Sequence, residues 1–135
     1  MRAPPPGQLQ PIAEQYSLRL IVLFGSQARG GTHAGSDADV AVWMERSLSA
    51  EERLELWGAL TRLFEAEVDL TTLNRAEPLL LYQVASTGQL LYESEEWAWE
   101  NFKSYGYRRY WDSNKFFGDM ARYVSRRAQE MRRVG

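Results

Sequence analysis

Apolar residues in this chain fall into short runs separated by polar stretches, and the spacing within each run predicts its element. Leu20–Phe24 and Val40–Trp43 are mostly branched or bulky apolar side chains, the form of short buried strands. The second of these strands is entered through a polar end and reads as Asp37–Trp43. Glu67–Leu73 (EVDLTTL) predicts a third strand and Gln89–Tyr92 (QLLY) a fourth. Ser49 and Glu52 form a capping box ahead of Leu56, Leu60, Leu63 and Phe64, which repeat at helical spacing. A short helix is predicted over Gln8–Tyr16, after the proline-rich start MRAPPPG. Asn74 is expected to cap a helix that takes Pro78 in its first turn and ends before Gly88. Helical sequence resumes at Ser94 and is expected to run, with a break near Gly106, to about Arg127.

The order α-β-β-α-β-α-β-α predicts an α/β (α+β) protein. It implies a small mixed sheet of about four strands backed by helices, with a C-terminal helical extension. No repeat or linker divides the chain. Residues 1–135 are expected to form a single domain, with a core over about 10–95 and an extension over about 95–130.

Composition narrows the class. Apolar residues at 44% and charged residues at 25% are ordinary for a folded protein. With no cysteine, disulfides and thiolate metal sites are excluded. No apolar run approaches the ~18 residues of a membrane span, and the start lacks a signal-peptide core, so a cytoplasmic protein is expected.

Charge is unevenly divided. The first hundred residues hold 7 basic and 15 acidic side chains, net −8, whereas residues 101–135 hold 9 and 3, net +6. Such a basic tail suits an acidic partner, a nucleic acid or solvent. Ten of the seventeen aromatics lie between Trp97 and Tyr123, interleaved with Arg108, Arg109, Lys115, Arg122, Arg126 and Arg127. One helical face can pack on the sheet, but so small a domain cannot bury aromatics on every side. The surplus points to a protein interface, with an RNA surface of stacking aromatics as the alternative.

The candidate chemistry lies in Gly25-Ser26, followed after ten residues by Asp37-Ala38-Asp39. Gly25 and Ser26 leave one predicted strand, and the aspartates open the next. Asp37 and Asp39 project from one face, roughly 7 Å apart at about 3.3 Å per residue. Like charges that converge to about 4 Å repel by about 4 kcal/mol at an effective dielectric of 20, so converging carboxylates call for a cation. Mg²⁺ suits carboxylate, phosphate and water oxygens. Asp69 adds a third carboxylate in an apolar strand, where a buried charge needs a partner. Three carboxylates could hold two metals, and Asp69 could also accept a proton.

Gly25 lets the backbone approach a phosphate, Ser26 adds a hydroxyl, and free amides over Ser26–Arg29 would favour an anion. Arg29 and Ser36 complete the candidate nucleotide-binding set. Each feature alone is common; their order between predicted strands is what points to nucleotidyl transfer. His33 is the only histidine, so no zinc site or nucleophilic triad is built from it. The chain has no GxxxxGK[ST] sequence, which argues against P-loop chemistry.

The stretch LFGSQARGGTHAGSDADVAV resembles the signature of the DNA-polymerase-β-like nucleotidyltransferase superfamily, and EVDLTTL resembles its third-carboxylate strand. In size and in the ending LYQVASTGQLLYE the chain is similar to the minimal nucleotidyltransferases of the MntA antitoxin type, encoded beside HEPN-class toxins. The resemblance covers about residues 10–95. It implies the polymerase-β-like fold, Asp37 and Asp39 as metal ligands, Asp69 as third ligand or base, and Gly25 and Ser26 as triphosphate contacts. It also implies Mg²⁺, ATP as donor, and a tyrosine of a HEPN-type toxin as AMP acceptor. The chain's brevity favours an acceptor that brings its own docking surface. Neutralisation by masking the toxin, and transfer to tRNA or a small molecule, are the alternatives.

Overall fold

The computed structural model describes residues 3–25 and 38–134. In chain order these form α1 (Pro6–Tyr16), β1 (Leu18–Phe24), β2 (Ala38–Met44), α2 (Ala50–Phe64), β3 (Val68–Thr72), α3 (Pro78–Thr87), β4 (Gln89–Glu93) and α4 (Ala98–Val134). The strands make one sheet in the order β3-β2-β1-β4. β1 is antiparallel to both β2 and β4, and β2 is parallel to β3, so the sheet is mixed as the element order predicts. No helix among the described residues is long and apolar enough to cross a membrane.

Alternation along the central strands feeds two cores. Ile21, Leu23, Val40 and Val42 join Leu9 and Ala13 of α1 and Leu56, Leu60 and Phe64 of α2 on one face. Leu20, Val22 and Ala41 join Leu81 and Val84 of α3 and Phe102 of α4 on the other. Burial on both faces explains why Leu20–Phe24 and Val40–Trp43 are continuous apolar runs rather than alternating ones.

Three expectations change in the folded chain. Asn74 caps no helix: it accepts from the Met44 amide (2.9 Å) and donates to the Met44 carbonyl (2.8 Å), tying the end of β2 to the β3–α3 loop. Glu77 stands at the N-cap of α3, with Pro78 in the first turn as expected. Helical structure begins at Ala98, not Ser94: the Ser94 amide bonds the Arg19 carbonyl, and Trp97 takes a left-handed φ of 73° before the helix opens.

α4 also runs unbroken through Gly106 to Val134. A Cβ at Gly106 would lie 3.1 Å from the Leu81 carbonyl oxygen and 3.4 Å from the Ala85 Cβ. The glycine therefore serves close helix–helix packing rather than a break.

The capping box of α2 forms as predicted, with the Ser49 hydroxyl accepting from the Glu52 amide and the Glu52 carboxylate accepting from the Ser49 amide. Arg46 also pairs with Glu52 at 2.8 Å. The Arg46 hydrogen bond first, and the Ser49 amide second, hold the Glu52 carboxyl down from 4.5 to about 2. A carboxyl depressed on folding adds stability above its unfolded pKa, and that contribution is lost as the pH falls through the folded value. Melting followed by circular dichroism between pH 4.5 and about 2 should fall less steeply for Glu52→Gln than for the parent. Parallel slopes would show that this exposed contact carries no pH-dependent stability.

Candidate active site

The register of three strands brings the described candidate residues to one end of the sheet. Phe24, the last residue of β1, pairs with Asp39 of β2, and Asp39 pairs with Asp69 of β3. Cross-strand partners share a face, so Asp39 and Asp69 project side by side, on strands about 4.8 Å apart. Along β2 the same face carries Ala41 and Trp43, which pack into the core beneath α3 and α4. Asp39 is half-buried and Asp69 exposed. The expectation that Asp69 is a buried charge in need of a partner is thus corrected. β3 is an edge strand whose Val68 and Leu70 pack on the α1/α2 side, which leaves Asp69 on an open face.

Gly25 closes the arrangement. Its φ is 77°, and a Cβ built on it would lie 2.5 Å from Asp39 Oδ2 and 3.3 Å from Asp39 Cγ. The aspartate side chain occupies the space that any other residue at position 25 would fill. The Ala38 amide bonds the Glu67 carbonyl at 2.8 Å, so β2 and β3 start level with each other beside this turn. Ser26, Arg29, His33, Ser36 and Asp37 lie outside the described residues.

The sequence reading assigns no role to Trp57, yet its indole Nε1 donates to the Val68 carbonyl at 2.8 Å. That bond anchors the edge strand one residue before Asp69. A lone tryptophan beside the Leu56 stripe of α2 is the only trace of it in the sequence.

Carboxylates set side by side on neighbouring strands repel each other unless a cation lies between them. Aligned oxygen donors of this kind fit a hard cation such as Mg²⁺. Among the described residues no group of three metal-ligating side chains forms, Asp37 lying outside them. An apolar pocket of about 300 Å³ lined by Leu20, Trp43, Phe102 and Tyr105 lies toward the opposite end of the sheet, away from the carboxylates.

The contact between Gly25 and Asp39 can be measured. Gly25→Ala adds a Cβ in a left-handed conformation and against a carboxylate, so urea unfolding should show a loss of about 1–3 kcal/mol. Combining it with Asp39→Ala removes the collision and should recover part of that loss. Strictly additive losses would show that the two residues do not touch.

Comparison with known proteins gives a consistent picture. The chain is 37% identical over 79 residues to the protein adenylyltransferase MntA of Shewanella oneidensis, which covers 58% of this chain and 57% of that protein. The chain thus spans little more than half the length of this curated relative. In structure it is similar to a chain of a toxin–antitoxin crystal structure with AMP-PNP, with a TM-score of 0.71, 27% identity and coverage of 88% of this chain and 97% of that one. It is also similar to a chain in the complex of tri-AMPylated Shewanella oneidensis HEPN toxin with MNT antitoxin. There the TM-score is 0.65 and the identity 25%, over 88% of this chain and 94% of that one. A family model described as polymerase beta, nucleotidyltransferase matches residues 7–97, a span that holds all four strands and every candidate site residue. The chain belongs to the polymerase beta nucleotidyltransferase family.

Proposed function

We propose that this chain is a protein adenylyltransferase that moves AMP from ATP to a tyrosine hydroxyl of a HEPN-type toxin and thereby neutralises it. The observation that carries this reading is the in-register pair Asp39 and Asp69 beside Gly25. A turn without a Cβ admits the backbone close to a triphosphate, and carboxylates abreast suit oxygen-bound cations. The names of the relatives support the acceptor: one is a protein adenylyltransferase, and one similar chain comes from a complex whose HEPN toxin is tri-AMPylated. AMP-PNP in another toxin–antitoxin structure supports ATP as donor.

In the transfer, the tyrosine oxygen forms a bond to the α-phosphorus while the bond from that phosphorus to the bridging oxygen of pyrophosphate breaks. The hydroxyl proton passes to a base. Asp69, exposed on the outer strand, is the residue we assign to receive it or to serve as a third ligand. Gly25 and Ser26 contact the phosphates, with Arg29 and Ser36 adding charge and a hydroxyl. Mg²⁺ held by Asp37, Asp39 and Asp69 would neutralise phosphate charge and acidify the acceptor hydroxyl. Holding donor and acceptor in line is the remaining task of the protein. The whole chain acts in this reading as one minimal nucleotidyltransferase domain with a helical extension.

The test is incubation with labelled ATP, Mg²⁺ and the product of the neighbouring gene. Label should appear on toxin tyrosine, and Asp37→Asn with Asp39→Asn should reduce its rate by on the order of a thousandfold. Undiminished labelling by the double variant would sink the assigned site. Equal toxin neutralisation by parent and double variant would favour masking over transfer.

A further inference from the structure

α4 carries two glycines in its interior, where glycine is disfavoured relative to alanine. Gly106 has a reason: α3 crosses it so closely that a Cβ would meet the Leu81 carbonyl at 3.1 Å, and Tyr82 stacks on Tyr110 beside the crossing at 4.4 Å. Gly118 has no such neighbour. The nearest atom to a Cβ built there is Arg122 Nη1, at 3.9 Å. It lies in a shallow groove along the helix, among Trp111, Asn114, Lys115 and Arg122. One large apolar side chain lines the groove in the open, Trp111, which is 70% exposed; Phe117, Phe116 and Met120 are also exposed but project from other faces of the helix.

We propose that a helix of the partner toxin crosses α4 at Gly118, as α3 crosses it at Gly106, and that the crossing helix presents carboxylates to the basic side chains around the groove. The partner's identity rests on the proposed function; the groove does not. Charge selects the occupant. Residues 101–135 carry a net +6. In the exposed stretch Arg122 pairs with Asp119 and Arg127 with Glu130, while Lys115, Arg126 and Arg132 find no carboxylate among the described residues. A second copy of α4 would bring the same positive excess, so arm-to-arm pairing is opposed where an acidic helix is favoured.

Placement fits a docking role. Trp99 lies by Gly88, Gly106 by Leu81 and Ala85, and Tyr110 by Tyr82, so α4 runs in the opposite sense to α3. α3 ends where β4 begins, at Gln89 opposite Leu23, near the carboxylates. The exposed part of α4 therefore leaves the body at the far end of α3. A toxin gripped there leaves the carboxylate end open.

The test uses the full chain and, as toxin, the product of the neighbouring gene, with parent, Gly118→Ala and Gly118→Leu compared. Neither substitution should lower the melting temperature, since each replaces a helical glycine by a better helix former. Gly118→Leu should weaken toxin binding by about tenfold or more, because it fills the crossing point. It should also raise KM for the toxin with kcat unchanged. Parent-like binding by a folded Gly118→Leu would overturn the proposal, and AMP transfer by the parent in that case leaves the proposed function standing. Conversely, a parent that binds toxin through Gly118 yet transfers no AMP would sink the adenylyltransferase reading alone. Two other outcomes would also overturn the crossing. One is a dimeric parent that Gly118→Leu makes monomeric, with toxin binding unchanged. The other is loss of single-stranded RNA binding by Gly118→Leu, again with toxin binding unchanged.

Discussion

Gly25 and Asp39 compete for one volume, and the carboxylate holds it. With the Asp39 side chain packed against the glycine backbone, the turn that leaves β1 and the strand that returns as β2 are locked at one height. The parallel pairing of β2 with β3 then carries that height across to Asp69. Three elements distant in sequence thus deliver a side-chain-free turn and two carboxylates to the same end of the sheet. The rest of the fold serves this registration: α1 and α2 seal one face and α3 and α4 the other, with Ala38, Val40 and Val68 buried directly beside the two aspartates.

The remainder of α4 obeys a different logic. Its first turns are structural, burying Ala98 and Phe102 and admitting α3 at Gly106. Beyond Tyr110 the helix keeps large apolar residues but loses the surface to pack them on. An isolated helix of this kind gains nothing from exposed aromatics, and a glycine in its interior weakens it. Both features make sense if the covering surface comes from another molecule. In the proposed reading, transfer chemistry at one end of the sheet and docking on a helix that leaves from the other end divide the work.

Local patterns were legible in the amino-acid sequence. Four strands, the capping box of α2 and the mixed sheet follow from periodicity and cap residues, which act over a few positions. So did the pairing of a glycine turn with aspartates, because both flank predicted strands. What depended on long-range contacts was not legible. Asn74 sits where a cap would, but its amide is drawn to the Met44 backbone. Gly106 looks like a helix breaker until α3 is laid against it. Asp69 reads as buried because its neighbours in sequence are apolar, yet whether β3 lies at an edge is decided by strand order. The role of Trp57 in holding that edge is likewise a product of tertiary packing.

The central claim is that Asp39 and Asp69, set level by Gly25, act as one oxygen-donor site. Binding of Mn²⁺ as a paramagnetic stand-in for Mg²⁺, measured with AMP-PNP present, tests it most directly across the parent, Asp39→Asn, Asp69→Asn and the double variant. Two ligands of a shared site are coupled, so each single variant should lose most of the affinity and the double variant little more. Independent, additive losses, or binding indifferent to Asp69, would contradict the account.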